Sequence, residues 1–555
     1  MRVFKIFFFV IFLFCSLRIE AFAKKIDFKD LSIDEEISQV IMMAVDLHKI
    51  EKYKSLLQKG FIGGVLLQWG NYSLEETRHL VNKLQSWSKI PLLVAADYEG
   101  GITITPTTLG LANLPTNMMV GAADSEKDTA TLFYLAGMEL RRAGINVNFA
   151  PVLDVNTNMY NPIIGVRSFG SNPELVSRLG TAVIKGLQAA KIAAVAKHFP
   201  GHGDISVDTH KTLAATNMSL NKITDIHLMP FKSAIDADVM GIMTAHVIYT
   251  ELDRYNIATF SKKTIGGLLK KELGFKGIVV SDSLDMEAAT HNNSIYEGVI
   301  KALNAGVDLV IVRNANLEKV HAKLKQELAV GIKPSRLAEA SAKIFSLKQK
   351  LGLFNGEEDK VPITDKAYQQ VAQTLAKKAI TLVRDRQKLI PFINKKTKNV
   401  PKVCTLFFSP PRFAQDLLRI SKPFIEQGWL VTQYNARLIP RENDFNYGKD
   451  CIENSDLSII GSFQWANKPY YAQVKTINKL LRIDKPIILL SLMSPFDVRF
   501  FLNAKTVLAI YGITPYSIEG AAQAILGKIK PEGKLPVKLL PFTKLSKSQE
   551  NGDEK

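Results

Sequence analysis

Short apolar runs rich in β-branched residues recur along the first 355 residues, each separated from the next by a longer stretch with helical spacing. The runs are QVIMMAVD (39–46), GGVLLQ (63–68), PLLVAADY (91–98), INVNFAPVLD (145–154), IAAVAKH (192–198), VMGIMTAH (239–246), GIVVSDS (277–283) and GVDLVIV (306–312). Apolar on both faces, they suit strands of a parallel sheet covered by helices. The intervening segments, such as LEETRHLVNKLQSWS and PELVSRLGTAVIKGLQAA, repeat apolar positions every three or four residues, as amphipathic helices do. Eight such units predict an α/β protein built on a (β/α)₈ TIM-like barrel with insertions. An open doubly wound nucleotide-binding sheet lacks support, because no G-x-G-x-x-G follows the first run and no Walker pattern occurs.

After Leu353 comes a polar connector, FNGEEDKVPITDK, then a helical stretch, AYQQVAQTLAKKAI. A second strand series follows: VCTLFF (403–408), WLVTQY (429–434), LSIIGSF (457–463), PIILLSL (486–492) and TVLAIYG (506–512). The expected organisation is a barrel over 24–355, a linker at 356–366, a smaller α/β sandwich over 367–543 and a disordered tail at 544–555.

The first 23 residues differ from the rest. Arg2 and Lys5 precede an apolar run from Ile6 to Leu17, and Ala21-Phe22-Ala23 closes it, the pattern of a secretory signal peptide cleaved after Ala23. The run is shorter than the ~20 residues of a membrane-spanning helix. Lipid attachment at Cys15 is the alternative, opposed by bulky Phe14 just before it. The expectation is a periplasmic or secreted protein with no membrane insertion after cleavage. Cys404 and Cys451 then remain, and two buried thiols are expected, with a single bridge as the alternative. Composition adds little: 46% apolar and 22% charged residues are ordinary for a globular protein. The net charge of +18 comes from scattered lysines without interleaved aromatics. That argues against a nucleic-acid partner and for loose adhesion to anionic envelope polymers.

Reactive side chains stand at the carboxyl ends of five successive runs: Asp97, Asp154, Lys197 with His198, His246, and Asp282. In a (β/α)₈ barrel these ends share one face, where active sites lie. The stretch KHFPGHGDISVDTH (197–210) is the densest in titratable groups. His198 and His202 have a metal-ligand spacing, but Pro200, Gly201 and Gly203 oppose the helix that would gather them, so no metal is expected. Asp208 and His210, two apart, can share one side of an extended segment and work as an acid–base pair. Alone such a pair is a weak signal, and a glycine-rich polar turn is often only a loop. Asp282 closes an apolar strand, where a carboxylate can attack an anomeric carbon. A helix N-cap is the other reading of SDSLDMEAA, with Ser283 or Asp285 capping while Asp282 faces the site.

These residues carry a family resemblance. DYEGG (97–101), PVLDVNTNMYNPIIGVRSFG (151–170), KHFPGHGDISVDTH (197–210), MTAHVIYTELD (243–253) and LGFKGIVVSDSLDM (273–286) occur in chain order, with PEGKLPV (531–537) in the second half. The chain resembles glycoside hydrolase family 3, and within it the bacterial β-N-acetylglucosaminidases of peptidoglycan turnover. The resemblance implies Asp282 as nucleophile, His210 as general acid/base and Asp208 as its partner. It also implies Asp97, Arg167, Lys197 and His198 as ligands of the terminal sugar. A retaining double displacement without metal or cofactor follows, performed by a monomer on a GlcNAc-containing carbohydrate substrate. Departures are Tyr98 where Gln is usual, and Ile102 and Thr105 in place of an Arg-containing stretch. Rival expectations are a β-glucosidase, which would usually carry Trp where Ser283 stands, a phosphorylase, and a non-catalytic wall-binding protein.

Overall fold

The computed structural model describes residues 27–101, 106–355, 362–393, 399–465 and 469–539. The expected signal segment with Cys15, the positions Ile102 and Thr105, residues 356–361 of the expected linker, and the expected tail lie outside the described residues. Among the described residues no helix is long and apolar enough to cross a membrane.

All eight apolar runs form strands, and they close into one parallel barrel. In order the strands are Ile41–Asp46, Gly64–Trp69, Leu93–Ala96, Val147–Asn148, Ala193–Phe199, Gly241–Thr244, Ile278–Ser283 and Leu309–Val312. Each pairs with its sequence neighbours, and the eighth closes on the first through Ile41 opposite Val310. Alternation sorts the side chains. Met42, Leu93, Val147, Val195, Val280 and Leu309 share one core cluster with Ile344 and Leu347 of helix Pro334–Lys350, while Ile41, Val65, Val94 and Val279 pack among the surrounding helices. The fourth strand is only two residues long. The side chains of Asn148 within it and Asn146 just before it accept from the Tyr98 and Val94 backbone N–H groups at 2.9 Å each.

The second domain is a six-stranded sheet with helices around it. Strands Lys402–Phe408, Leu430–Ala436, Leu457–Ser462, Ile487–Ser491 and Thr506–Ala509 correspond to the five predicted runs and pair in parallel. A sixth strand, Thr381–Asp385, was not anticipated; it runs antiparallel to Thr506–Ala509 at one edge. Its sequence, TLVRD, is short and follows directly on helix Asp365–Ala379, so no periodicity marks it. Tertiary bonds hold it: Arg384 donates to the Ala504 carbonyl at 2.7 Å and Thr506 Oγ1 to Asp385 at 2.7 Å. The expected pair of free thiols is corrected to a disulfide between Cys404 and Cys451. Helix Glu442–Glu453 packs across strand Lys402–Phe408 and brings the two Cα atoms to 5.7 Å, within bridging reach despite a sequence separation of 47.

The two domains are stitched together beside the barrel's carboxyl face. Thr116 Oγ1 donates to the Tyr511 carbonyl at 2.7 Å, Ser171 N to that of Pro536 at 2.9 Å and Lys534 N to that of Ala122 at 3.0 Å. Trp465 of the second domain lies against Pro162–Arg167 of the barrel. The barrel segment that carries Arg167 is therefore backed by both domains.

Candidate active site

Asp97, Tyr98 and Glu99 directly follow the third strand, Leu93–Ala96, and their side chains part. Tyr98 turns into the helical layer, where its hydroxyl donates to the Ala112 carbonyl at 2.6 Å. Asp97 and Glu99 face the barrel mouth. Arg167 grips Glu99 with two parallel bonds of 2.7 Å each, from Nε and Nη2. Lys197 Nζ reaches Asp97 at 2.6 Å and Glu99 at 2.5 Å. Burial alone would push the Glu99 carboxyl up, but Arg167 and Lys197 outweigh it and hold it well below the usual carboxylate range. The result is a rigid floor in which two cations meet two carboxylates.

Neighbours in a regular strand point to opposite faces. At the end of the fifth strand, however, the Lys197 and His198 side chains both line the same cavity. Asp154, fully buried after the fourth strand, accepts from His198 Nδ1 at 2.7 Å and from the His202 backbone N–H at 2.6 Å. Burial opposes its charge, yet His198 and His202 bring its pKa down to about 2. His202 is buried in the cavity wall, and its Nε2 lies 3.2 Å from Thr209 Oγ1. Burial lowers its pKa to about 4, against the pull of Asp154, so the ring is neutral near pH 7.

The turn between His198 and Asp208 folds tightly onto the barrel. A Cβ on Gly203 would sit 1.9 Å from the Val155 carbonyl oxygen, so only glycine allows this approach. The turn delivers Asp208 and His210 to the rim. Asp208 Oδ1 accepts from the His210 backbone N–H at 2.9 Å and lies 3.0 Å from His210 Nδ1. With Nδ1 facing the carboxylate, Nε2 is the ring nitrogen left for chemistry. The His210 side chain is 58% exposed, accessible to solvent as well as to the cavity it lines.

Asp282 stands at the end of the seventh strand, and its Oδ1 accepts from the Ser283 backbone N–H at 2.7 Å. Burial raises its pKa, but His246, His198, the Ser283 N–H and His210 together outweigh burial and lower it, so the carboxylate stays ionised. The expected cap is corrected. The short helix Glu287–Thr290 has no side-chain cap, and Asp285 instead accepts from the backbone N–H groups of Arg313 at 2.5 Å and Asn314 at 2.9 Å. Asp285 thus ties the seventh strand's loop to the eighth.

One cavity of about 390 Å³ gathers these groups. Asp97, Arg167, Lys197, His198, His210 and Asp282 all line it, and Asp208 stands behind His210. Glu99 also lines it and was missed, although it lies two residues beyond Asp97. Gln68 and Arg313 line it too and carried no sequence signal. Among the described residues no group of three His, Cys, Asp or Glu side chains is placed to hold a metal ion. An ionised carboxylate and a carboxylate-backed imidazole opening on one polar cavity is an arrangement suited to attack at one atom and proton transfer at its neighbour.

The profile of the glycosyl hydrolase family 3 N terminal domain matches residues 32–347. Beta-hexosaminidase A of Pseudoalteromonas piscicida is 36% identical over 326 residues, and the match covers 53% of this chain but only 54% of that relative. A Cellulomonas fimi protein named beta-N-acetylglucosaminidase/beta-glucosidase is 27% identical over 553 residues, covering 92% of this chain and 94% of its own. The solved structure of a glycoside hydrolase family 3 beta-N-acetylglucosaminidase from Paenibacillus sp. str. FPU-7 superposes with a TM-score of 0.83 at 28% identity, covering 92% of this chain and 100% of the other. With the profile matching over half of its length and the barrel present, the chain belongs to glycosyl hydrolase family 3.

Proposed function

We propose that the protein is a retaining exo-β-N-acetylglucosaminidase that removes terminal GlcNAc from peptidoglycan-derived or related glycans. The observation that carries this reading is the shared cavity of Asp282 and His210, with Asp208 at 3.0 Å behind the imidazole. In the first step Asp282 attacks the anomeric carbon while the bond to the leaving oxygen breaks, and His210 Nε2–H gives that oxygen its proton. A covalent glycosyl-enzyme results. In the second step His210 takes a proton from water, whose oxygen attacks the same carbon and frees Asp282. Asp97, Arg167, Lys197 and His198 orient the sugar hydroxyls, the cations being held in place by Glu99 and Asp97.

The acetamido preference draws support from the names of the Pseudoalteromonas, Cellulomonas and Paenibacillus relatives. The Cellulomonas name also favours a second reading, activity on β-glucosides. Chromogenic β-GlcNAc and β-glucose glycosides, assayed with wild type, Asp282→Ala and His210→Ala, test both. A preference for glucose would sink the acetamido assignment, and full activity in Asp282→Ala would sink the mechanism.

Export belongs to the same proposal. It is supported by the basic–apolar–AFA pattern of residues 1–23 and by the Cys404–Cys451 disulfide, a bond that persists in oxidising compartments. Peptide mapping of the protein recovered from its native host decides it: processing after Ala23 and a bridged Cys404–Cys451 pair are expected, and an intact leader with free thiols would refute export.

A further inference from the structure

The nucleophile strand has a second histidine beside it that the mechanism above does not use. Thr244 pairs with Ser281, and extending that register by two residues sets His246 opposite Ser283. The sixth strand stops at Thr244, so the backbone ladder does not reach Ser283 from this side. The imidazole does. His246 is buried, with Nε2 3.0 Å from the Ser283 carbonyl oxygen and Nδ1 2.8 Å from Thr259 Oγ1. A carbonyl oxygen only accepts, so Nε2 carries a proton. Thr259 Oγ1 lies in turn 2.9 Å from Thr244 Oγ1. Burial lowers the ring's pKa against the attraction of Asp282, which favours the neutral form. Thr259 Oγ1 also faces the Ala245 carbonyl oxygen at 3.1 Å, so the direction that geometry fixes is the last one, from His246 Nε2–H to the Ser283 carbonyl. On the other side of the same residue, the Ser283 N–H donates to Asp282 Oδ1 at 2.7 Å.

We infer that His246 is the positioning residue for the nucleophile: as the neutral Nε2–H tautomer it clamps Ser283, whose N–H aims the Asp282 carboxylate. The inference rests on Asp282 being the nucleophile. Among the described residues no hydrogen bond engages Asp282 Oδ2, which leaves that oxygen for attack, while Oδ1 is held by the clamped residue. A reacting oxygen displaced by even 1 Å costs about 10²-fold in rate. Loss of the clamp therefore acts on the bond-forming step rather than on sugar binding.

Three variants test this. His246→Gln keeps a nitrogen donor within reach of the Ser283 carbonyl, His246→Asn has the same amide one carbon too short, and His246→Leu has none. Glutamine is expected to keep most of kcat. Asparagine and leucine are expected to lose about 10²-fold in kcat with KM changed less than about threefold. Wild-type kcat in asparagine and leucine overturns the inference, and so does a glutamine variant that melts like wild type yet is as slow as asparagine. Should leucine fail to fold, the glutamine–asparagine pair decides. The ring ¹⁵N signals of the free enzyme, assigned to His246 by their loss in His246→Gln, give a readout that needs no substrate. A single proton on Nε2 near pH 7 is expected, and an Nδ1–H tautomer or an imidazolium overturns the inference. If wild type turns over no β-glycoside, the functional reading has failed instead, and the ring signal alone decides the clamp.

Discussion

Arg167 and Glu99 meet through two parallel bonds of 2.7 Å in the wall of the cavity, both side chains almost wholly removed from solvent. The pair is a forked one, guanidinium against carboxylate, and Lys197 adds a third contact to the same acid. Glu99 is thus the carboxylate that two buried cations in the cavity wall share.

Glu99→Gln is expected to leave those cations with one carboxylate, Asp97. Breaking a buried pair on one side costs roughly 3–5 kcal/mol. Thermal unfolding should show a clear loss of stability, and kinetics a raised KM as Arg167 and Lys197 lose their fixed positions. A variant that melts and binds like wild type would show that the floor does not depend on Glu99.

His210→Ala is expected to lose 10²- to 10⁴-fold in kcat/KM on substrates whose leaving oxygen needs protonation. On 2,4-dinitrophenyl glycosides, whose leaving group departs unprotonated, the first step should be far less affected and the covalent intermediate should accumulate. Mass spectrometry of the quenched reaction checks this. Equal losses on both substrate types would argue that His210 holds the loop rather than moving the proton.

Gly203→Ala should act on the same histidine from a distance. A Cβ 1.9 Å from the Val155 carbonyl oxygen forces the turn away from the barrel. Overpacking of this kind costs typically 1–3 kcal/mol. The turn carries Asp208 and His210, so kcat is expected to fall along with the melting temperature. Unchanged kcat at lowered stability would separate the turn from the proton transfer.

Asp497, buried in the second domain, accepts from Ser462 Oγ at 2.6 Å and Ser491 Oγ at 2.7 Å, and burial pushes its pKa up to about 7. Its folded pKa lies above its unfolded value, so the native state holds a proton that the unfolded chain has released. The stabilisation is complete below about pH 4 and is lost as the pH rises to about 7, by an amount on the order of a few kcal/mol. Asp497→Asn, which cannot ionise, should therefore gain stability over wild type as the pH is raised from 5 to 8. Parallel melting curves of the two proteins across that range would contradict it.

Periodicity was sufficient for the architecture, because a strand covered on both faces must be apolar throughout and a covering helix must repeat its apolar stripe. It was insufficient for Thr381–Asp385, a short edge strand made by Arg384 and Thr506 rather than by its own pattern. The candidate catalytic residues were legible because strand ends in a barrel converge, which turns a linear list of polar residues into a common face. The pattern gives no sign of Glu99 beside Asp97, and it offers Ser283 or Asp285 as a helix cap, whereas the partners of Asp285 are two backbone N–H groups on the next strand's loop.

The sequence by itself therefore determined the barrel, the second sheet and the set of reactive residues at one face, since these follow from side-chain alternation and strand order. Only the tertiary structure decided which carboxylate holds which cation, that Cys404 and Cys451 are bridged, and that His202 and His246 are buried, hydrogen-bonded rings. Apart from His202 and Thr209, which are seven positions apart, those are distances between residues 37 to 100 positions apart. No local pattern encodes them, because they are fixed by how the packed strands and helices bring their ends together.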